Sequence, residues 1–172
     1  MKEEQSLWGP AIGTLVFVLI VPATVIVGVP YLLTDWEMEA PFFNLPFTRW
    51  IGAFLFVASL PLFLQFLVRF VTEGLGTPAP VAPTKRLVVG GPFRWVRNPG
   101  YIAVLGLVVG EGLLFAHTSV LIYAALLGVA FHLFVLLYEE PTLRRQFGTE
   151  YEQYCRRVPR WIPRRPGGGR EY

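Results

Sequence analysis

The chain has 172 residues, 53% of them hydrophobic and only 16% charged, with 15 Lys and Arg against 12 Asp and Glu. That length leaves room for one domain, and so apolar a composition argues against a soluble globule. A single cysteine, Cys155, excludes an intrachain disulfide and a Cys-rich metal site, and His117 and His132, the only histidines, exclude a His-rich one, so no metal is expected.

Run length carries the next inference. No Asp, Glu, Lys or Arg occurs in residues 5–34, 50–68, 98–110 or 112–138. About 20 apolar residues cross a bilayer as a helix. The first two runs each read as one span. The last two are interrupted only by Glu111 and the polar turn "FAHTS" (115–119), so they read as a tight helical hairpin. The expected fold is all-α: a polytopic membrane protein with four transmembrane helices at about 10–33, 50–71, 99–116 and 119–138, forming one domain over 1–163. Glu3 and Glu4 offset Lys2, and the first apolar run is too long for a signal peptide, so it is expected to be a retained first helix.

Within these spans, Pro22, Pro30 and Pro61 should kink their helices. Gly106 and Gly110 in the third span, with Ala124, Gly128 and His132 at four-residue spacing in the fourth, predict close pairing of spans three and four. Glu111 lies near the outer boundary, where a structural role or solvent contact is expected of it. Orientation follows from the cations. Only Arg49 belongs to the side of the first loop, which instead carries Asp35, Glu37 and Glu39. The positive-inside bias therefore places both termini and the loop 72–98 in the cytoplasm. The net charge of +3 serves this topology and suits anionic lipid headgroups, and it gives no reason to expect nucleic acid.

The loop 72–98 carries Gly74, Gly76, Pro78, Pro80 and Pro83, which make it irregular and stiff before the apolar "RLVVGGPFRW". After the last span, Leu143, Phe147, Tyr151, Tyr154, Val158 and Trp161 recur at steps of three and four, with Arg144, Arg145, Arg156 and Arg157 off that stripe. Gly148 should divide this stretch into two short helices, with Thr149 and Glu152 at capping-box spacing for the second. Pro159 should end it. The expectation is an amphipathic cytoplasmic tail over 140–163, lying on the membrane surface, then a disordered end over 164–172.

The chemistry concentrates at one face. "GPFRWVRNPGY" (91–101) enters the third span on the cytoplasmic side, and Glu139 and Glu140 leave the fourth there. His132 precedes Glu139 by seven residues, two helical turns, and so is expected on its face. No P-loop, dinucleotide fingerprint, HExxH or nucleophile elbow is present. Acids facing Arg94 and Arg97 beside a glycine-proline turn and aromatic rings read as a pocket for a small zwitterion.

The order of "GPFRWVRNPGY", two spans and "LYEEPTLRRQFGTEYEQYCRRVPRWIP" resembles the isoprenylcysteine carboxyl methyltransferase and phospholipid methyltransferase superfamily, over about residues 84–163. The resemblance implies an integral membrane methyltransferase that uses S-adenosylmethionine in a cytoplasm-facing pocket. It points to Gly91, Pro92, Phe93, Trp95, Arg97, Tyr101, Glu139 and Glu140 for the cofactor. Glu139 or Glu140 would meet the ribose hydroxyls or the ammonium, and Arg97 the carboxylate. The turn at 90–93 would offer backbone amides, and Trp95 or Tyr101 would cover adenine or the cationic sulfur. Glu139 is expected to contribute more than Glu140, which stands next to Pro141, where it would cap the following helix or position the tail. Arg97, Asn98 and His132 are the catalytic candidates. Asn98 stands where the family usually has histidine, and it cannot act as acid or base near neutrality. Any proton transfer would then fall to His132 or be dispensed with. The acceptor would be hydrophobic or amphiphilic: a prenylcysteine, an amine headgroup, a small thiol or a quinone-like lipid. Two alternatives stand beside this. One is an NADPH-dependent reductase of sterol-reductase type, for which the chain is short and the paired acids unfavourable. The other is a non-catalytic lipid-binding membrane protein.

Overall fold

A computed structural model of the chain describes residues 12, 16, 20–69, 72 and 86–165, which form helices and turns with no strand among them. Most of the opening of the first expected span, the part of the loop with Gly74, Gly76, Pro78, Pro80 and Pro83, and the end of the tail from 166 lie outside the described residues.

Five helices carry the described architecture: α1 (Ile20–Thr34), α2 (Phe47–Arg69), α3 (Pro99–Phe115), α4 (Thr118–Phe134) and α5 (Glu140–Arg157). The π-turn Val135–Glu139 joins α4 to α5, so one helical rod runs from Thr118 to a break at Gly148 and a second helical segment follows to Arg157. α2 and this rod are long and apolar enough to cross a membrane, while α1 and α3 are shorter apolar helices. α1 widens into a π-turn at Thr24–Gly28, between Pro22 and Pro30. Its Thr34 hydroxyl then donates to the Pro30 carbonyl at 2.8 Å. α2 runs through Pro61 without a break. Pro99 opens α3, where its missing N–H is no loss. Ala116, at φ 65°, closes α3 and donates to the Gly112 carbonyl, and one extended residue later α4 begins. That is the tight hairpin expected at "FAHTS". Its turn is tied down by His117, whose Nε2 lies 2.6 Å from the Glu37 carbonyl and Nδ1 3.2 Å from Glu39 Oε1.

The core is centred on α3. Ala103, Val104, Leu107 and Val108 are buried with Phe63 of α2, Ile26 of α1, and Val120 and Ala124 of α4. The closest packing is not between α3 and α4, as the small-residue pattern predicts, but between α3 and α2. A Cβ on Gly110 would stand 2.8 Å from the Phe56 amide nitrogen, and one on Gly52 would stand 2.7 Å from the Gly110 carbonyl oxygen. Gly106 likewise turns to Ser59. The physical reason is pairwise: Gly52 offers α3 a second bare backbone, whereas a Cβ on Gly128 would meet only Leu105 side-chain atoms at 3.7–3.8 Å, an ordinary contact. Glu111 is buried in α3 rather than in contact with solvent, and its Oε2 has no hydrogen-bond partner among the described residues.

Gly148, at φ 52° and ψ −123°, leaves helical geometry and divides α5 into two helical segments, as expected, but other details of α5 differ. No capping box forms, because Glu152 accepts from Arg144 Nε at 2.8 Å. The apolar stripe of α5 is buried within the protein: Tyr151, Tyr154 and Val158 pack with Leu143 and Phe147 against Leu87 and Val89. That contact brings the tail to the segment that precedes α3.

Candidate active site

The segment before α3 is built around the 3₁₀ turn Gly91–Arg94. Gly91 takes φ 55°, and a Cβ there would stand 2.7 Å from Arg69 Nε, so both backbone conformation and close approach require glycine. The amides of Phe93, Trp95 and Val96 donate to Gly90 and Pro92 carbonyls and are therefore occupied within the turn. α5 and the tail then strap this segment at Phe93, Trp95, Arg97 and Asn98. Arg97 N–H donates to the Pro159 carbonyl at 2.9 Å and Arg164 N–H to that of Trp95 at 3.0 Å. Asn98 Nδ2 donates to the Arg160 carbonyl at 3.1 Å, and the Tyr154 hydroxyl to that of Phe93 at 2.8 Å. Asn98, buried, is thus a peg between α3 and the tail.

Glu140 is the centre of a charged knot. Arg160 binds it with two hydrogen bonds, of 2.6 and 3.0 Å, Arg97 Nη1 lies 3.1 Å from Oε1, and Arg144 Nη2 lies 3.6 Å from Oε2. Burial alone would raise the Glu140 carboxyl, but the Arg160 hydrogen bond and the charges of Arg97, Arg160 and Arg144 outweigh it and hold it below the usual carboxylate range. Arg97 also donates to Cys155 Sγ at 2.7 Å and to the Tyr151 hydroxyl at 3.4 Å. Burial, followed by neighbouring Cys155, pushes the Tyr151 phenol up, so it remains a neutral hydroxyl. Arg97 Nε is buried and has no hydrogen-bond partner among the described residues.

Glu139 points elsewhere. Its Oε2 accepts from the Tyr101 hydroxyl at 2.9 Å, across to α3. An uninterrupted helix would put Glu139 on the face of His132. The π-turn closes with the Glu140 N–H on the Val135 carbonyl, five residues back, so one extra residue is accommodated there. The adjacent tail residues show the result: Arg160 meets Glu140, and Trp161 Nε1 donates to His132 Nδ1 at 3.0 Å. Glu140 therefore continues the His132 face, and Glu139 is rotated by roughly 100° towards α3.

Between these elements lies a cavity of about 380 Å³, within the range of about 300–1,000 Å³ usual for small-molecule sites. Phe93, Arg97, Asn98, Tyr101, Glu139 and Glu140 all line it. Gly91, Pro92 and Trp95 do not. They line a second hollow, with Arg94, on the other side of the same segment. Arg94 thus faces away from the acid pair. His132 lines neither space and is exposed. Phe66 and Phe131 add aromatic walls, the latter 4.7 Å from the Tyr101 ring centre.

The residues around Arg97 that the motif alone does not assign to the site are Tyr151, Cys155 and Arg160. The stripe in α5 gives Tyr151 away as buried, but nothing local in "VPRWIP" marks Arg160 as the partner of Glu140.

The cavity's chemistry fits a zwitterion carrying a flat ring system: an acid with a single protein hydrogen bond, a buried unpartnered guanidinium nitrogen, and aromatic walls. Two probable protein-S-isoprenylcysteine O-methyltransferases, from Oryza sativa subsp. indica and subsp. japonica, are each 35% identical to the chain over 85 residues, 45% of this chain and 41% of theirs. The match thus spans about two fifths of the length of those relatives. No solved structure matches the chain. Residues 47–150, more than half the chain, match the phospholipid methyltransferase family. That stretch runs from the start of α2 past the Gly148 kink and contains the α2–α3 seam, Arg97, Glu139 and Glu140, and the chain belongs to that family.

Proposed function

We propose that the protein is an integral membrane methyltransferase that uses S-adenosylmethionine to methylate a hydrophobic or amphiphilic acceptor drawn from the bilayer. It crosses the membrane four times, with both termini and the cofactor cavity on the cytoplasmic side. The observation that carries this reading is the juxtaposition of Glu139 and Arg97 on one aromatic-walled cavity, where the tail meets α3 and α4.

The donor, when bound, supplies a methyl group on a sulfonium that is already an activated leaving group. The chain's own residues then have to hold and align. The Arg97 guanidinium would donate to the carboxylate, while its Nη1 stays on Glu140. Glu139 Oε1, with no hydrogen-bond partner among the described residues, would accept from the ammonium or a ribose hydroxyl, with the Tyr101 hydroxyl fixing the carboxylate's orientation. Phe66, Phe93 and Phe131 exclude water, which strengthens both contacts. Orientation is the main catalytic contribution that such a transfer needs. Asn98 acts by pegging the tail, and His132 by holding Trp161 over the ring of Tyr101, whose centre lies 6.4 Å from that of Trp161. A nicotinamide cofactor with a 2′-phosphate would place an anion near Glu139, which disfavours the reductase alternative.

Calorimetric titration of the purified protein with S-adenosylmethionine and with NADPH tests the reading. Saturable binding of the first alone is the expected result, and binding of NADPH alone, or of neither, rejects it. Topology has its own test: in a Cys155→Ser background, cysteines placed at Glu37 and at Thr84 should label from opposite sides of intact membranes.

A further inference from the structure

The second hollow, of about 640 Å³, lies across residues 91–98 from the cavity and shares no lining residue with it. Its lining changes character along its height. Leu62 of α2 and Ile102 of α3 give it an apolar wall within the helices. Arg69, the last residue of α2, which also holds a contact within the protein, together with Arg94 and Trp95, gives it a cationic and aromatic rim, and no Asp or Glu among the described residues lines it. The rim is shaped rather than incidental. Gly91 adopts φ 55° with its missing Cβ directed at the Arg69 guanidinium, so that side chain packs flush on the turn. Arg94 is exposed and makes no ion pair or hydrogen bond among the described residues. Trp95 is 45% exposed at the end of the α2 span, the depth at which indole rings sit at a membrane–water boundary.

We propose that this hollow is a binding site for an anionic phospholipid. Its phosphate pairs with Arg69 and Arg94, its headgroup lies against Trp95, and an acyl chain follows Leu62 and Ile102. Arginine is suited to this because its planar fork matches phosphate oxygens and it is weakly hydrated. A negatively charged leaflet concentrates such lipids around basic rims. The seated lipid is a resident one and not the methyl acceptor, since a separate wall divides the hollow from the cavity.

The test offers the full-length protein mixed micelles of phosphatidylglycerol and phosphatidylcholine in equal amounts and counts retained lipids by native mass spectrometry. Phosphatidylglycerol has no amine, so retention does not depend on methyl transfer. The wild type should keep one phosphatidylglycerol in preference to phosphatidylcholine. Arg69→Gln with Arg94→Gln should lower that occupancy by about tenfold, through loss of two charge-assisted contacts. Arg94→Gln alone removes no ion pair or hydrogen bond among the described residues, so the fold is expected to persist, and it should still lower occupancy measurably. Arg145→Gln with Arg156→Gln, on the outer face of α5, should leave it unchanged. No preference in the wild type, an equal loss in the α5 variant, or displacement by millimolar inorganic phosphate alone would each overturn the assignment.

Discussion

Gly52 and Gly110 join α2 to α3 by having no side chains, so that backbone meets backbone, whereas Glu140 joins α5 to the tail with a charge buried among three arginines. Both contacts fix the position of Arg97: the seam sets where α3 begins, and the knot sets where the guanidinium points. They respond to perturbation differently. The seam depends on short-range dispersion and shape, which pH and salt leave alone but a single methyl group disturbs. The knot depends on ionisation, which tolerates small shifts in shape but not the loss of one partner. A membrane-embedded seam has no hydrophobic drive between its helices, since lipid is as apolar as leucine, and close packing is what remains. At the aqueous end of the same helices, polar side chains can be fully satisfied and charge becomes usable.

The largest expected effect is at the knot. Glu140→Gln leaves Arg97 and Arg160 with an uncompensated charge, and breaking a buried pair in this way costs about 3–5 kcal/mol. Thermal unfolding in detergent should show it. The same variant exposes the pH dependence. The Glu140 carboxyl is held below its ordinary range in the fold, so its contribution is fully present at and above that range and is lost as pH falls beneath it. The stability gap between wild type and Glu140→Gln should therefore close on acidification. A gap independent of pH would mean that the knot acts by shape, as the seam does.

Next is the seam. Gly110→Ala places a methyl 2.8 Å from the Phe56 amide nitrogen, a backbone atom that cannot swing aside. Overpacking of this kind costs about 1–3 kcal/mol, and here the loss should be the same at every pH. Gly128→Ala, whose Cβ meets only Leu105 side-chain atoms, should be close to neutral in the same melt. Equal losses at both positions would restore α3–α4 as the tight pair.

Glu139→Gln should barely change stability but weaken S-adenosylmethionine binding by about tenfold or more, since a hydrogen bond to a charged group contributes roughly 1.5–3 kcal/mol. Calorimetry separates this from Glu140→Gln, which should lower stability first. If Glu139→Gln destabilised the fold while leaving affinity unchanged, the roles assigned to the two acids would be reversed. A small effect is also expected of Trp161→Phe. It removes one hydrogen bond to an exposed histidine and should cost about 0.5–1.5 kcal/mol at most, visible as a small shift in the melt.

Hydrophobic run lengths in the sequence were enough to give an all-helical chain, the ends of α2 and α3 to within a few residues, and the hairpin at Ala116 and His117, because burial in lipid and helix termination are local properties of composition. The gathering of Phe93, Arg97, Asn98, Tyr101, Glu139 and Glu140 was legible too, since two spans meeting in a tight turn must bring their other ends together. Three things were decided only in three dimensions. Which helix Gly106 and Gly110 face depends on whether a partner offers a bare backbone, and Gly52 lies far away in the chain. The division of the acid pair depends on the π-turn Val135–Glu139, a one-residue change of phase that hydrophobic periodicity does not record. The identity of the charge on Glu140 depends on Arg160, a residue that reaches it only because the stripe of α5 packs on Leu87 and Val89 and carries the tail back across Arg97.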